Sequence, residues 1–256
     1  MAYQSYGPES IARPVVEVSA VESRAFGIRV GRLDVGLGAD RERIDLAALL
    51  EAGDCDLVLL RYPAPWLDLA EQLRVCAWTS IPCDPLIYVR RTPAPQEHAP
   101  VGIRRLGEAD LPELDDVIAT IFSGYPNHYL VNPLTRGVDI VAAYQEWARA
   151  TLAAPHGQVF LADVDGVGVV GMFMAHDEDG VFEILLGGML PVARGKGWYQ
   201  AMFRAITDHA HATGATLACT ATQVANTASL RGFTSTGYEP FLALTTAHVV
   251  RPGLLG

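Results

Sequence analysis

The only lysine of this 256-residue chain, Lys196, stands between two glycines just after an arginine. Arg194-Gly195-Lys196-Gly197 separates an apolar run ending at Pro191 from a stretch in which Trp198, Met202 and Ile206 recur at helical spacing. A strand, a glycine-rich turn and a helix start, in that order, gather unpaired backbone amides, two cations and a positive dipole end at one point. That is the chemistry of a diphosphate cradle: amides from Arg194 to Tyr199 as donors, with charge from Arg194 and Lys196. A turn with solvated charges uses the same residue types. The buried strand before it and the amphipathic helix after it favour the cradle.

Proton-transfer candidates are fewer. Glu183 interrupts the apolar run Val181–Leu185, where a carboxylate is partly desolvated, titrates high and is suited to take a proton through water. The alternative is an outward-facing residue at the start of a strand. His128, in the polar aromatic loop Ser123–Arg136, has the intrinsic pKa for proton transfer near neutrality, or is an ordinary loop histidine. Tyr125 and Tyr129 in that loop either contact an acceptor or anchor the loop. No Ser/His/Asp or Cys/His arrangement points to a covalent enzyme intermediate. Cys55, Cys76, Cys83 and Cys219 are far apart, with no C-x-x-C pair and no metal-ligand spacing to histidine. They read as reduced, mostly buried thiols of a cytoplasmic protein, with no metal expected.

Composition sets outer bounds. Half the residues are apolar and 19% are charged, enough for a sizeable core. A net charge of −10 argues against nucleic acid, which calls for a basic face. No basic-then-apolar leader is visible, and no apolar run is long enough to cross a bilayer, so neither export nor membrane association is expected.

The elements that must position these groups follow from periodicity. After a loose leader to about Pro14, strands are expected over Val15–Val21 and Phe26–Val35, a helix over Arg43–Ala52, a strand at Asp56–Tyr62, a helix at Leu67–Val75, and strands at Ala77–Ile81 and Leu86–Arg91. No chemistry concentrates in this half. Thr92–Pro100, with three prolines and His98, reads as an extended linker. From Val101 to Val249 the pattern is β-α-α-β-β-β-α-β-α-β, with a helix capped by Asp110 and Glu113, a hairpin across Asp165-Gly166 and no internal repeat. The domain expectation is therefore 1–91, linker 92–100, and 101–256, in a mixed α/β (α+β) class.

Strand, M-x-P-x-x-R-G-x-G (residues 189–197) and helix, set in that element order, resembles the acyl-CoA-binding motif of the GCN5-related N-acetyltransferase (GNAT) family. Thr222-Gln223-Val224-Ala225-Asn226, Leu230-Arg231 and Thr236-Gly237-Tyr238 are similar to a segment of the TDP-fucosamine and other nucleotide-amino-sugar N-acetyltransferases in that family. The resemblance implies a twisted, mostly antiparallel sheet, preceded by a smaller domain like a truncated copy of the same fold. It implies acetyl-CoA as co-substrate, a small-molecule amine as acceptor, direct attack in a ternary complex, and a homodimer. The cofactor-binding set it implies is Met189, Leu190, Arg194, Gly195, Lys196, Gly197, Trp198, Tyr199, Asn226 and Phe233. Met189 and Leu190 would offer amides to the thioester carbonyl, and Asn226 would bond the pantetheine arm or simply cap a helix. Glu183, His128 and Tyr129 are the catalytic candidates. Two positions depart from the family pattern: Tyr199 replaces a small residue, and Phe233 stands where a proton-donating tyrosine is usual.

Overall fold

A computed structural model describes residues 14–95 and 100–255. Most of the expected leader, and His98 with part of the linker, lie outside the described residues. Before the linker come β1 (Glu17–Val18), α1 (Ala20–Phe26), β2 (Val30–Asp34), α2 (Leu46–Gly53), β3 (Leu57–Pro63), α3 (Leu67–Val75) and β4 (Thr79–Arg91). After it come β5 (Val101–Arg105), α4 (Leu111–Phe122), α5 (Ile140–Ala153), β6 (Gly157–Val164), β7 (Gly168–Glu178) and β8 (Val181–Met189). The chain closes with α6 (Trp198–Ala212), β9 (Leu217–Gln223), α7 (Thr227–Ser235) and β10 (Glu239–Val250). All ten strands form one mostly antiparallel sheet in the order β1-β2-β3-β10-β4-β9-β8-β7-β6-β5. The expected mixed α/β class and the element order after residue 101 are those observed.

Local chemistry explains three differences from the sequence expectation. Residues 20–26 form a helix that takes in the end of the first expected strand and the start of the second, because Ser19 accepts from the Glu22 amide at its start and Gly27, at φ +67°, ends it. Asp110 does not cap α4; its carboxylate accepts from the Gly107 amide at 2.8 Å, and Arg104 pairs with both Asp110 and Glu113. The two strands expected around Pro82 and Pro85 are one, β4. Its pairing with β10 shifts register twice, and such irregularities absorb residues that cannot donate to a ladder.

The strand order brings the two halves of the sequence together. β10 lies between β3 and β4, and β4 lies between β10 and β9. Each half also contains a parallel pair, β2 with β3 and β8 with β9. β3-α3-β4 and β9-α7-β10 follow one another as strand, turn and helix of matching length, a repeat of structure that the side chains do not display. The turn after β3 donates from Ala64 N to Ala243 O at 2.9 Å, and the turn after β9 donates from Val224 N to Pro85 O at 2.8 Å. Helices α6 and α7 pack on a core containing Phe173, Phe182, Phe203 and Phe233; α4 and α5 pack on one containing Val159, Leu161, Met172 and Met174.

Candidate active site

β8 and β9 pair in parallel from Val181/Leu217 to Ile184/Thr220. The last rung is reinforced by Thr220 Oγ1, which donates to Ile184 O at 2.9 Å. Beyond it β8 stays with β7, but the ladder skips Leu185, so a bulge turns the strand where its other edge opens. Leu190 N donates back to Val170 O at 2.9 Å. Its amide is therefore spent on β7, which corrects the expectation that Leu190 polarises a thioester carbonyl. Antiparallel alternation puts the amides of Gly187 and Met189 on the open edge instead. The two glycines have a packing reason: a Cβ on Gly188 would meet Ile121 Cγ2 at 2.5 Å, and one on Gly187 would meet the Phe173 ring at 2.9 Å.

The strand leads into the glycine turn. Arg194 N donates to Pro191 O at 3.2 Å, and Gly195 and Gly197 follow at φ +74° and +75°, where side-chain-bearing residues are strained. Gly197 caps α6 without a side chain, so the opening amides of the helix are left to an outside acceptor. Residues 194–197 are exposed, and Lys196 Nζ sits 4.8 Å from the centre of the Trp198 ring. These residues and the open β8 edge fit a pantetheine arm ending in a diphosphate: donors along the strand, donors and cations at the turn.

A cavity of about 510 Å³ lies against the open edge, walled by Leu185–Gly187 of β8, Thr222 and Gln223 of β9, and Tyr199, Asn226 and Phe233 from the two helices. Glu183 is only 5% exposed and lies on this wall, so the outward-facing alternative does not hold. Asn226 is the N-cap of α7: Oδ1 accepts from Ser229 N at 3.2 Å, while Nδ2 donates to Thr222 Oγ1 at 3.1 Å and to Tyr125 Oη at 3.3 Å. Phe233 is buried among Tyr199, Phe203 and Tyr238.

The loop residues resolve differently. His128 Nδ1 is 2.8 Å from His248 Nε2, and His248 Nδ1 is 3.2 Å from Asn132 Nδ2. Asn132 Oδ1 accepts from Leu134 N at 3.0 Å, so its amide nitrogen must face His248 Nδ1. His248 then carries its proton on Nε2 and donates to His128 Nδ1, which leaves His128 protonated on Nε2. Burial, with Arg61 nearby, lowers His128 well below the usual histidine range and His248 to about 4. His128 is therefore a neutral donor fixed in one tautomer, which corrects its candidacy as a general base. The ligand atoms of Cys83, His128 and His248 lie within 4.8 Å of one another. The proton on His248 Nε2 faces His128, while burial raises the Cys83 thiol to about 11 and its Sγ donates to Ile81 O at 3.6 Å.

Tyr129 Oη donates to Glu22 Oε1 at 2.9 Å, and Glu22 also receives Arg32 through Nε at 3.0 Å and through Nη2. Tyr129 is thus tied into a structural ion pair. With Glu22 and Arg32, Asp34, Arg61 and Tyr88 also line the cavity, so the first half contributes polar walls although its sequence shows no concentrated chemistry. Over a hundred residues separate Glu22 from Tyr129, and no local spacing signals such a pairing.

Residues 122–238 match the acetyltransferase (GNAT) family. The whole-chain fold is similar to a GCN5-related N-acetyltransferase from Sphaerobacter thermophilus, with TM-score 0.62, 16% identity, and 97% of this chain and 80% of that one covered. It is also similar to one from Kribbella flavida (TM-score 0.53, 21% identity, 88% and 82% covered). A third is a putative GNAT acetyltransferase from Novosphingobium aromaticivorans (TM-score 0.51, 20% identity, 88% of each chain covered). No curated protein matches the chain in sequence. The chain has the GNAT fold.

Proposed function

We propose that this protein is an acyl-CoA-dependent N-acyltransferase that moves an acetyl group from acetyl-CoA to the amine of a small acceptor, with a nucleotide-linked amino sugar as the acceptor class. The observation that carries this is the parting of β8 and β9 after Ile184, one residue past the buried carboxylate Glu183, beside a glycine turn at a helix N-terminus. Amides from Gly195 to Tyr199 would bind the diphosphate with Arg194 and Lys196, and the Gly187 and Met189 amides would orient and polarise the thioester carbonyl. Glu183 would take the proton that the amine sheds, through water. The similarity of Thr222–Asn226 to nucleotide-sugar acetyltransferases supports the acceptor class, as do the aromatic cavity residues Tyr125, Tyr144 and Trp147.

The test is mass spectrometry of a panel of amino sugars, nucleotide-linked amino sugars and simple amines incubated with acetyl-CoA and the protein. One acetyl group added to a nucleotide-linked amino sugar is the expected result. Acetylation of simple amines alone would replace the acceptor class, and no acetylated product from any amine would overturn the reading. Phe233 favours a second reading, a coenzyme A-binding protein without catalysis, which tight binding without product would select.

A further inference from the structure

The two departures from the family pattern, Tyr199 and Phe233, are in contact. Their ring centroids lie 6.3 Å apart with planes inclined by 32°, on facing helices. Phe233 brings no hydroxyl to α7. Tyr199, in the first turn of α6, brings one: its hydroxyl donates to Ser229 Oγ at 3.0 Å, and Tyr199, Ser229, Asn226 and Phe233 all line the cavity. The ring is seated at the expense of a side chain opposite, since a Cβ on Gly232 would stand 2.5 Å from Tyr199 Cε1. A small residue at 199 would leave that groove empty, and a larger residue at 232 would close it. The pair therefore reads as an exchange, the hydroxyl lost from one helix and supplied by the other at the same seam.

We propose that Tyr199 is the proton donor to the thiolate leaving group, doing from α6 what Phe233 cannot do from α7; the inference rests on the N-acyltransferase reading. In the transfer a C–N bond forms to the acyl carbon, and the C–S bond breaks with its electron pair going to sulfur. The Tyr199 hydroxyl gives that sulfur its proton. The phenolate recovers a proton across Ser229 Oγ, and the count closes with the proton that the amine loses to Glu183. Burial, only partly offset by the Ser229 bond, raises the Tyr199 phenol to about 12, so at neutral pH it holds the proton it must donate.

Tyr199→Phe fills the same space without the hydroxyl, so a packing role would survive it. We expect kcat to fall by about 10²–10³, in the range for a lost general acid, with KM for acetyl-CoA little changed. Adding Phe233→Tyr to that variant is expected to restore part of the lost rate. A second readout needs no turnover: the thiol of bound coenzyme A, followed by thiolate absorbance, should titrate at lower pH on the wild type than on Tyr199→Phe. Unchanged kcat, or identical thiol titrations on the two proteins, overturns the inference and leaves the N-acyltransferase reading standing. Failure of coenzyme A to bind the wild type overturns that reading and this one together.

Discussion

Tyr129 Oη donates to Glu22 Oε1 at 2.9 Å, fastening the loop between α4 and α5 to α1. The same carboxylate holds Arg32, so one buried acid ties together three segments of the cavity wall. Tyr129→Phe removes a hydrogen bond to a charged acceptor and should cost about 1.5–3 kcal/mol in urea unfolding. Glu22→Ala leaves a phenol and a guanidinium without their acceptor. Arg32 is 42% exposed, so water screens part of that loss, and about 2–3 kcal/mol is expected. Changes under about 0.5 kcal/mol, the range of ordinary surface substitutions, would show that the tie does not hold the loop.

Stability should fall with acid in two stages. Burial, with Arg61 as the next cause, lowers His248 from 6.5 to about 4, so the folded state binds fewer protons than the unfolded chain in that interval. Stability is then full above about pH 6.5 and is lost at about 1.4 kcal/mol per pH unit down to about pH 4. For Glu22, burial pushes its titration up, but the charge and bonds of Arg32 and the hydrogen bonds of Ser19 and Tyr129 together bring it below 4.5. Its contribution is present above pH 4.5 and disappears below. Urea titrations from pH 7 to pH 4.5 on the wild type and His248→Gln check the first stage; the variant should show a shallower slope, and equal slopes would contradict the assignment.

Glu183→Gln keeps the shape of the cavity wall and removes the proton acceptor. A fall in kcat of about 10²–10⁴ is expected, with coenzyme A affinity preserved, as read by steady-state kinetics and calorimetry. Loss of affinity without loss of kcat would place Glu183 in binding instead.

Among the described residues, none beyond the chain neighbours of Gly195 and Gly197 comes within 4 Å of where a Cβ would sit, so alanine there meets no clash. The strain is in the backbone at φ +74° and +75°, costing roughly 1–2 kcal/mol per residue in the left-handed region. Gly197→Ala should therefore re-aim the first amides of α6 and raise the Kd for coenzyme A about tenfold or more. An unchanged Kd would mean that the turn does not grip the diphosphate.

The glycine turn was legible because its chemistry is contiguous: four residues between an apolar run and a periodic one state both geometry and charge. Glu183 was legible as an ionisable residue in an apolar strand, although only the sheet shows that it faces the cavity. Helix α1 was obscured because its apolar residues also fit a strand, and the Ser19 and Gly27 caps carried the decisive information. The positions of β4 and β10 were not legible, since pairing between strands so distant in sequence leaves no local pattern. For the same reason the sequence does not link the two departures at Tyr199 and Phe233, whose rings lie side by side in the fold. The type of His128 suggests a base, whereas Asn132 and His248 fix its tautomer from elsewhere in the chain.

Isothermal titration of coenzyme A into the wild type and the Arg194→Ala/Gly197→Ala variant tests whether the parted β8 edge and the turn at 194–197 bind an acyl-CoA. One-to-one saturable binding to the wild type is expected, with a Kd at least about tenfold weaker for the variant. No binding to the wild type, or equal binding to both proteins, would contradict that expectation.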